Sequence, residues 1–367
     1  MLNKKLVLAL FLGLASMVNA EDAKVYFTRD ICGGHSHVCE SFSTKHDFIL
    51  DTDLGNCTDD ILAIHAAFYY QAQGKCNIKG IMQSRKLIQC KELLDRFMHY
   101  YKADSVPIGF ADGDEHSQIF IPYYKLVDKK NADGSYFFPR TGIKLEDRLP
   151  SWKLYRKLLS EAEDNSITIV CFGLFTNLGM LIDSGGDEYS SLDGLSLIAK
   201  KVKVLNLMGG CFVESCPQFP ELDGHAVEYN ILGDVPMAKK VIERWPTSIC
   251  ILPGENALDF PSVHEEVLAD YSNAKDGFMY QTYANFSKSQ IGDGQYWWDP
   301  ITVIHAVLGE GNYFDCSVQG KISISSSGVT NFSAQKDGNA HIIKIRSDSI
   351  ARFYDLLRSY SAWSPNN

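Results

Sequence analysis

The sequence predicts an α/β protein built on an open, mostly parallel sheet with helices on both faces and a small C-terminal β-appendage. Three observations point there. Short apolar runs alternate with helix-like stretches from residue 46 onward, which is the pattern of parallel strands joined by crossover helices. The 367 residues, 45% of them hydrophobic, suffice for one large domain of this kind. Glycine or polar residues close three of the predicted strands, and in such sheets ligands collect at the carboxyl ends of strands.

The elements follow in order. "HDFILDTD" (46–53) reads as a strand and "DDILAIHAAFYYQAQ" (59–73) as a helix with acids at its N-terminus, where the dipole favours them. "CNIKGIMQ" (76–83) is a strand. The segment after it places Leu87, Cys90, Leu94, Phe97 and Tyr101 on one helical face. "VPIG" is a short strand, and 110–150 an irregular, aromatic excursion. Helix 151–163, strand "SITIVCFG", helix 175–183, strand "KVKVLNLMGG", helix 234–244 and strand "TSICILPG" continue the alternation. Helical stretches at 262–288 and 298–308 come next. "GKISISSSGVTNFSAQKDGNAHIIKIR" then reads as two short strands with turns, followed by a final helix. No internal repeat or linker divides 46–367, which is expected to form a single domain.

The first twenty residues stand apart. "MLNKKLVLALFLGLASMVNA" has a basic start at Lys4 and Lys5, a short apolar run and a small-residue end, the pattern of a secretory signal peptide. Residues 21–45 read as an N-terminal extension. Cleavage predicts a secreted or periplasmic product with no membrane segment, and loss of the two lysines takes the formal net charge from −10 to −12. An acidic chain without basic clusters is a poor nucleic-acid binder. Ten cysteines in an exported chain predict disulfides, with Cys32/Cys39 and Cys211/Cys216 closest in sequence and Cys57 a further candidate. "CGGHSHVC" also offers Cys32, His35, His37 and Cys39 as zinc ligands, a reading that an oxidising compartment disfavours.

"DTDLGNCTDD" (51–60) carries the chemistry. It crowds Asp51, Asp53, Asp59 and Asp60 at one strand-to-helix turn, which is unfavourable unless a cation or donor neutralises them. An EF-hand loop does not fit, because Asn56 stands where glycine is required and Leu62 where glutamate is. An aspartyl-phosphate phosphatase wants Thr or Val where Gly55 stands. A capped helix start accounts for Asp59 and Asp60 alone. A hard-cation site accounts for all four acids.

These residues, with others downstream, make the sequence resemble the nucleoside hydrolases of the inosine–uridine-preferring type, in a variant with a longer turn before the Asp pair. "ITIVCFGLFTNLGMLI" is similar to that family's Gly-x-x-Thr-Asn segment and "LMGG" to its Met-Gly-Gly. "AVEYNILGDVPMAKKVI" resembles its Glu-x-Asn segment, and "YWWDPITVIHAV" its late Asp motif. The resemblance implies a Rossmann-like core and a Ca2+ ion held by Asp53, Asp60, Asp299 and the Phe172 carbonyl. It further implies Asp53 as general base, with Asp59, Glu228 and Asn230 binding ribose and Met208 lining the pocket. The implied substrate is a ribonucleoside, cleaved at its N-glycosidic bond.

Read without the resemblance, Glu228 is a helix-entry residue, Asn230 a turn residue and Met208 packing. The sequence departs from the family pattern at three places. Trp298, preceded by Trp297, stands where many members have a histidine suited to protonating the base. Its indole face suits stacking on a purine, while core packing is the alternative. His225 is a further proton source by position, or a plain loop residue. Arg85 and Lys86 stand where an asparagine touches the sugar, and "CFVESCPQFPELDGH" replaces a Gly-Asn. These altered contacts also suit a catalytically silent nucleoside- or ribose-binding protein on the same fold. The sequence does not decide between a monomer and a homo-oligomer.

Overall fold

The computed structural model describes residues 46–55, 57–112, 122–261, 263–285, 296–360 and 363–365. The segments expected to be a signal peptide (1–20) and an N-terminal extension (21–45), with Cys32 and Cys39, lie outside the described residues.

A ten-stranded sheet organises the chain. Its parallel part is β1 (His46–Thr52), β2 (Cys76–Gln83), β3 (Ile108–Phe110), β4 (Ile167–Cys171), β5 (Val202–Met208) and β8 (Ser248–Leu252). Across the sheet these run β3-β2-β1-β4-β5-β8, so the winding direction reverses between β1 and β4. That reversal is the topological switch point at which open α/β sheets bind ligands. The strands are near-continuous apolar runs because both faces are covered, and every residue of β4 is buried. Alternation divides them between two cores. Phe48, Leu50, Val170 and Phe172 face one side; Ile49, Ile169, Cys171 and Ile251 face the other.

The second face is covered by α3 (Ser151–Glu161), α4 (Thr176–Asp183), α5 (Gly194–Lys201) and α7 (Val235–Arg244). The first holds α1 (Asp59–Ala72), α2 (Ile88–Tyr100), α10 (Trp298–Leu308) and α11 (Ile350–Ser359). Helices α1 and α10 pack on each other and are apolar almost all round, so both are buried along nearly their whole length. Each carries aspartate in its first turn, which brings Asp59, Asp60 and Asp299 to one place.

Four expectations need correction. Helix α5, which the sequence reading omits, is capped by Asp193, whose carboxylate accepts from Ser196 N at 2.7 Å. The 262–288 stretch is two short helices, α8 (His264–Asp270) and α9 (Phe278–Ala284), with a 3-10 turn between them. The excursion at 110–150 contains 3-10 turns at Pro122–Asp128 and Leu145–Asp147. The C-terminal region holds β9 (Phe314–Cys316), β10 (Gly320–Ile324), β11 (Thr330–Ala334) and β12 (Ala340–Ile345). These strands pair antiparallel with one another, and β12 joins β8 in parallel, so they extend the central sheet. No helix among the described residues is long and apolar enough to cross a membrane.

Candidate active site

The acidic turn leaves β1 at the switch point, against the end of β4. Gly173 makes this approach available: a Cβ there would lie 2.4 Å from Asp53 N and 2.6 Å from the Thr52 carbonyl carbon. Phe172 N donates to Asp51 O at 2.8 Å, so the Phe172–Gly173 backbone runs directly beside Thr52–Asp53.

The four acids of the turn do not act together. The carboxylate of Asp51 accepts from Tyr155 Oη and Asn177 Nδ2, each at 2.9 Å. These partners come from α3 and α4 on the second face, so Asp51 is a satisfied core residue, not part of a cation site. The cluster that forms instead is Asp59, Asp60 and Asp299, each offering an oxygen within 4.8 Å of the others. Asp59 Oδ2 accepts from Asp299 N at 3.3 Å, and Thr52 Oγ1 donates to Asp60 Oδ1. Asp59 Oδ1 and Asp60 Oδ2 are buried with no hydrogen-bond partner among the described residues. Burial raises Asp59 to about 7, and burial with the neighbouring carboxylates raises Asp60 and Asp299 well above the usual range. Helix N-termini offset only part of this repulsion. Three buried carboxylates, two of them with an orphaned oxygen, fit a hard divalent cation.

Asp53 sits beside this cluster, engaged by a residue the sequence reading did not pair with it. Arg85 Nε donates to Asp53 O at 2.9 Å and to Asp53 Oδ2 at 3.0 Å, while Arg85 Nη2 reaches the same Oδ2. Both side chains are almost wholly buried. Gln83 braces the pair, its Oε1 accepting from Arg85 N at 3.0 Å and its Nε2 donating to Leu54 O at 2.9 Å.

Glu228 caps the short helix α6 (Tyr229–Leu232), as a helix-entry residue does. Its carboxylate accepts from Asn230 N at 2.7 Å, Gly210 N at 3.1 Å and Ile231 N at 3.2 Å. Burial still raises it to about 7, with the charge of Asp53 adding to the shift. Asn230 Nδ2 donates to Met208 O at 3.4 Å and approaches Met208 Sδ at 3.2 Å, so these three predicted residues meet at the end of β5.

Trp298, which opens α10, donates its indole N–H to Gly254 O at 2.9 Å and is half-buried. Its ring centroid lies 5.1 Å from that of Tyr296 and 6.2 Å from that of Phe219. Trp297, by contrast, is buried in the core. His225 is exposed at the start of β7 (His225–Ala226), which pairs with β6 (Glu221–Leu222), and its Nδ1 is bonded to Asp223 O at 3.1 Å.

A profile of the inosine-uridine preferring nucleoside hydrolases matches residues 48–353. The chain belongs to this family. As a nucleoside hydrolase it is a hydrolase acting on N-glycosyl bonds, in a family that depends on a metal. No curated protein matches its sequence. Solved structures resemble it in fold at low identity. An inosine-uridine preferring nucleoside hydrolase from Bacillus anthracis is 15% identical with a TM-score of 0.58, over 86% of this chain and 99% of that one. A purine-preferring ribonucleoside hydrolase from Gardnerella vaginalis is 16% identical with a TM-score of 0.61, again over 86% and 99%. The type III effector protein XopQ, solved with adenosine diphosphate ribose, is 12% identical with a TM-score of 0.60, over 88% and 94%.

The hydrolase differs from its sequence-based expectation in its cysteines. No disulfide joins the described ones; Cys211 and Cys216 are both buried free thiols, and Cys211 Sγ donates to Val213 O at 3.8 Å. Sequence reasoning also missed Thr52, Gln83, Phe219 and Tyr296. Phe219 and Tyr296 carry no motif, though the aromatic residues in "QFPEL" and "QYWWD" are the signal that leads to them.

Proposed function

We propose that this nucleoside hydrolase is exported, requires Ca2+ and prefers purine ribonucleosides. The observation that carries the metal reading is the buried Asp59–Asp60–Asp299 group, whose two orphaned oxygens have no other partner among the described residues. With the Phe172 carbonyl and Asp53 beside them, these residues would hold the ion. Bound there, Ca2+ supplies Lewis acidity towards a water and a docking point for sugar hydroxyls.

The chain's own residues do the rest. Asp53 takes a proton from the attacking water as the new C–O bond forms at the ribose anomeric carbon and the C–N bond breaks, its electron pair leaving with the base, which takes a proton from solvent. The surrounding carboxylates offset the positive charge that develops on the sugar ring. Asp59, Glu228 and Asn230 bind ribose hydroxyls, with Met208 forming the wall behind Asn230. Trp298 gives its N–H to Gly254 O, so it donates no proton to the leaving base. Its face, flanked by Phe219 and Tyr296, provides a stacking surface that suits a purine.

The test is kcat/KM for inosine, guanosine, adenosine, uridine and cytidine, on wild type and Trp298→Ala. A purine preference of about tenfold that collapses in the variant supports the reading, since stacking is worth ~1–3 kcal/mol per base. Equal rates on purines and pyrimidines would remove it.

A second reading is favoured by one observation, the Arg85 ion pair that occupies the proposed base Asp53. It is a nucleoside- or ribose-binding protein without turnover, and binding without release of free base would establish it.

A further inference from the structure

The guanidinium of Arg85 is buried at the edge of the acidic cluster, and both of its bonds to the Asp53 carboxylate end on one oxygen, Oδ2. Gln83 holds the Arg85 backbone, so the side chain is fixed in that position. Arginine stays protonated in proteins, so this is a permanent positive charge among four aspartates. Its field reaches Asp60 as well as Asp53.

We propose that Arg85 is a resident counter-cation, which competes with a bound divalent ion for Asp53 and sets how tightly the acidic cluster holds that ion. The inference rests on the metal reading above and adds to it. Two physical effects act in the same direction. Arg85 occupies an oxygen that a hard cation would otherwise take, and its charge repels a dication at close range in a poorly solvated site. Asp59, Asp60 and Asp299 then carry most of the ion's binding, and Asp53 is held in a fixed orientation beside it. Arg85 also lessens the repulsion among the acids when no ion is bound, so the fold tolerates the cluster in both states.

The experiment is a calorimetric Ca2+ titration, near pH 8, of wild type, Arg85→Gln, Arg85→Lys and Asp299→Asn, with the fold of each checked by circular dichroism. Arg85→Gln keeps a donor to Asp53 but removes the charge, and it is expected to bind Ca2+ about tenfold tighter or more. Arg85→Lys keeps the charge and is expected to stay within about threefold of wild type. Asp299→Asn is expected to lose binding. A folded Arg85→Gln that binds as wild type does, or more weakly, overturns the proposal and leaves the metal site standing. Should Arg85→Gln not fold, a change of about tenfold or more in Arg85→Lys overturns it instead. Absence of Ca2+ binding from both wild type and Arg85→Gln overturns the metal reading and this inference with it.

Discussion

Gly173→Ala tests whether the backbone contact at the switch point positions the catalytic turn. The added Cβ would lie 2.4 Å from Asp53 N, 2.6 Å from the Thr52 carbonyl carbon and 3.0 Å from Asp53 Cβ. These are backbone atoms or fixed to backbone, so no flexible side chain can yield. The strands must part by about 1 Å to reach ordinary contact, the kind of overpacking that costs ~1–3 kcal/mol. The high end applies here because Thr52 O is already bonded to Ser84 N at 2.8 Å and to Ser84 Oγ at 3.1 Å. For a chain of this size that corresponds to a fall in Tm of about 5 °C. The displaced group is Asp53, the proposed general base, and a misplacement of about 1 Å in such a group costs about a hundredfold in rate. Differential scanning calorimetry and nucleoside turnover read the two effects. Gly185→Ala is the control, since nothing lies within 4 Å of a Cβ there. A Gly173→Ala protein with the Tm and kcat/KM of wild type would refute the reasoning.

Other expectations follow from the same geometry. Asp60→Asn should weaken Ca2+ binding by about a hundredfold or more, because it removes a charge-bearing ligand with an orphaned oxygen, and calorimetry checks it. In EDTA, the thermal stability should fall as pH rises. Asp59 and Glu228 have ordinary values of 3.8 and 4.5 and are raised to about 7 in the folded chain, with Asp60 and Asp299 also raised. Their stabilising contribution is complete below about pH 4 and is lost as pH climbs through about 7. A Tm that increases over that range in EDTA would contradict this. Saturating Ca2+ binds the ionised acids, so the Tm gain it gives should grow with pH in the same window. Glu228→Gln should keep most of the α6 cap while lowering kcat/KM by about tenfold or more. A loss of stability without loss of activity would make Glu228 a cap alone.

What could be read from the sequence depended on how local the signal was. Strand β2 has the bounds its apolar run suggests, and the acids of the turn announced a charge problem by their density. Their division into roles was not visible. Asp51 and Asp53 are two residues apart, but β1 ends at Thr52, so the strand alternation that aims Asp51 at Tyr155 and Asn177 does not govern Asp53. In the sequence Arg85 stands out only as a departure from a family pattern. Its pairing with Asp53 depends on the β1–β2 register, in which Thr52 faces Gln83. The C-terminal strands alternate visibly, yet their attachment depends on Ala340 meeting Ile249, a pairing far too distant in sequence to infer. Helix α5 gives a weak sequence signal because it is only eight residues long and begins with glycine, although Asp193 is a recognisable cap. Glu228 reads in the sequence as a helix-entry residue or a sugar ligand, and the structure makes it the cap, bonded to Asn230 N, whose side chain in turn meets Met208.

The central claim is that the Asp59–Asp60–Asp299 group holds a metal ion that the cleavage of ribonucleosides requires. The most direct measurement is reducing-sugar release from inosine by the chain starting at Glu21, in EDTA and again after Ca2+ is restored, beside Asp299→Asn. The account predicts turnover that stops in EDTA, returns with Ca2+, and is absent from the variant at every Ca2+ concentration. Turnover that persists in EDTA, or in a folded Asp299→Asn protein, would contradict it.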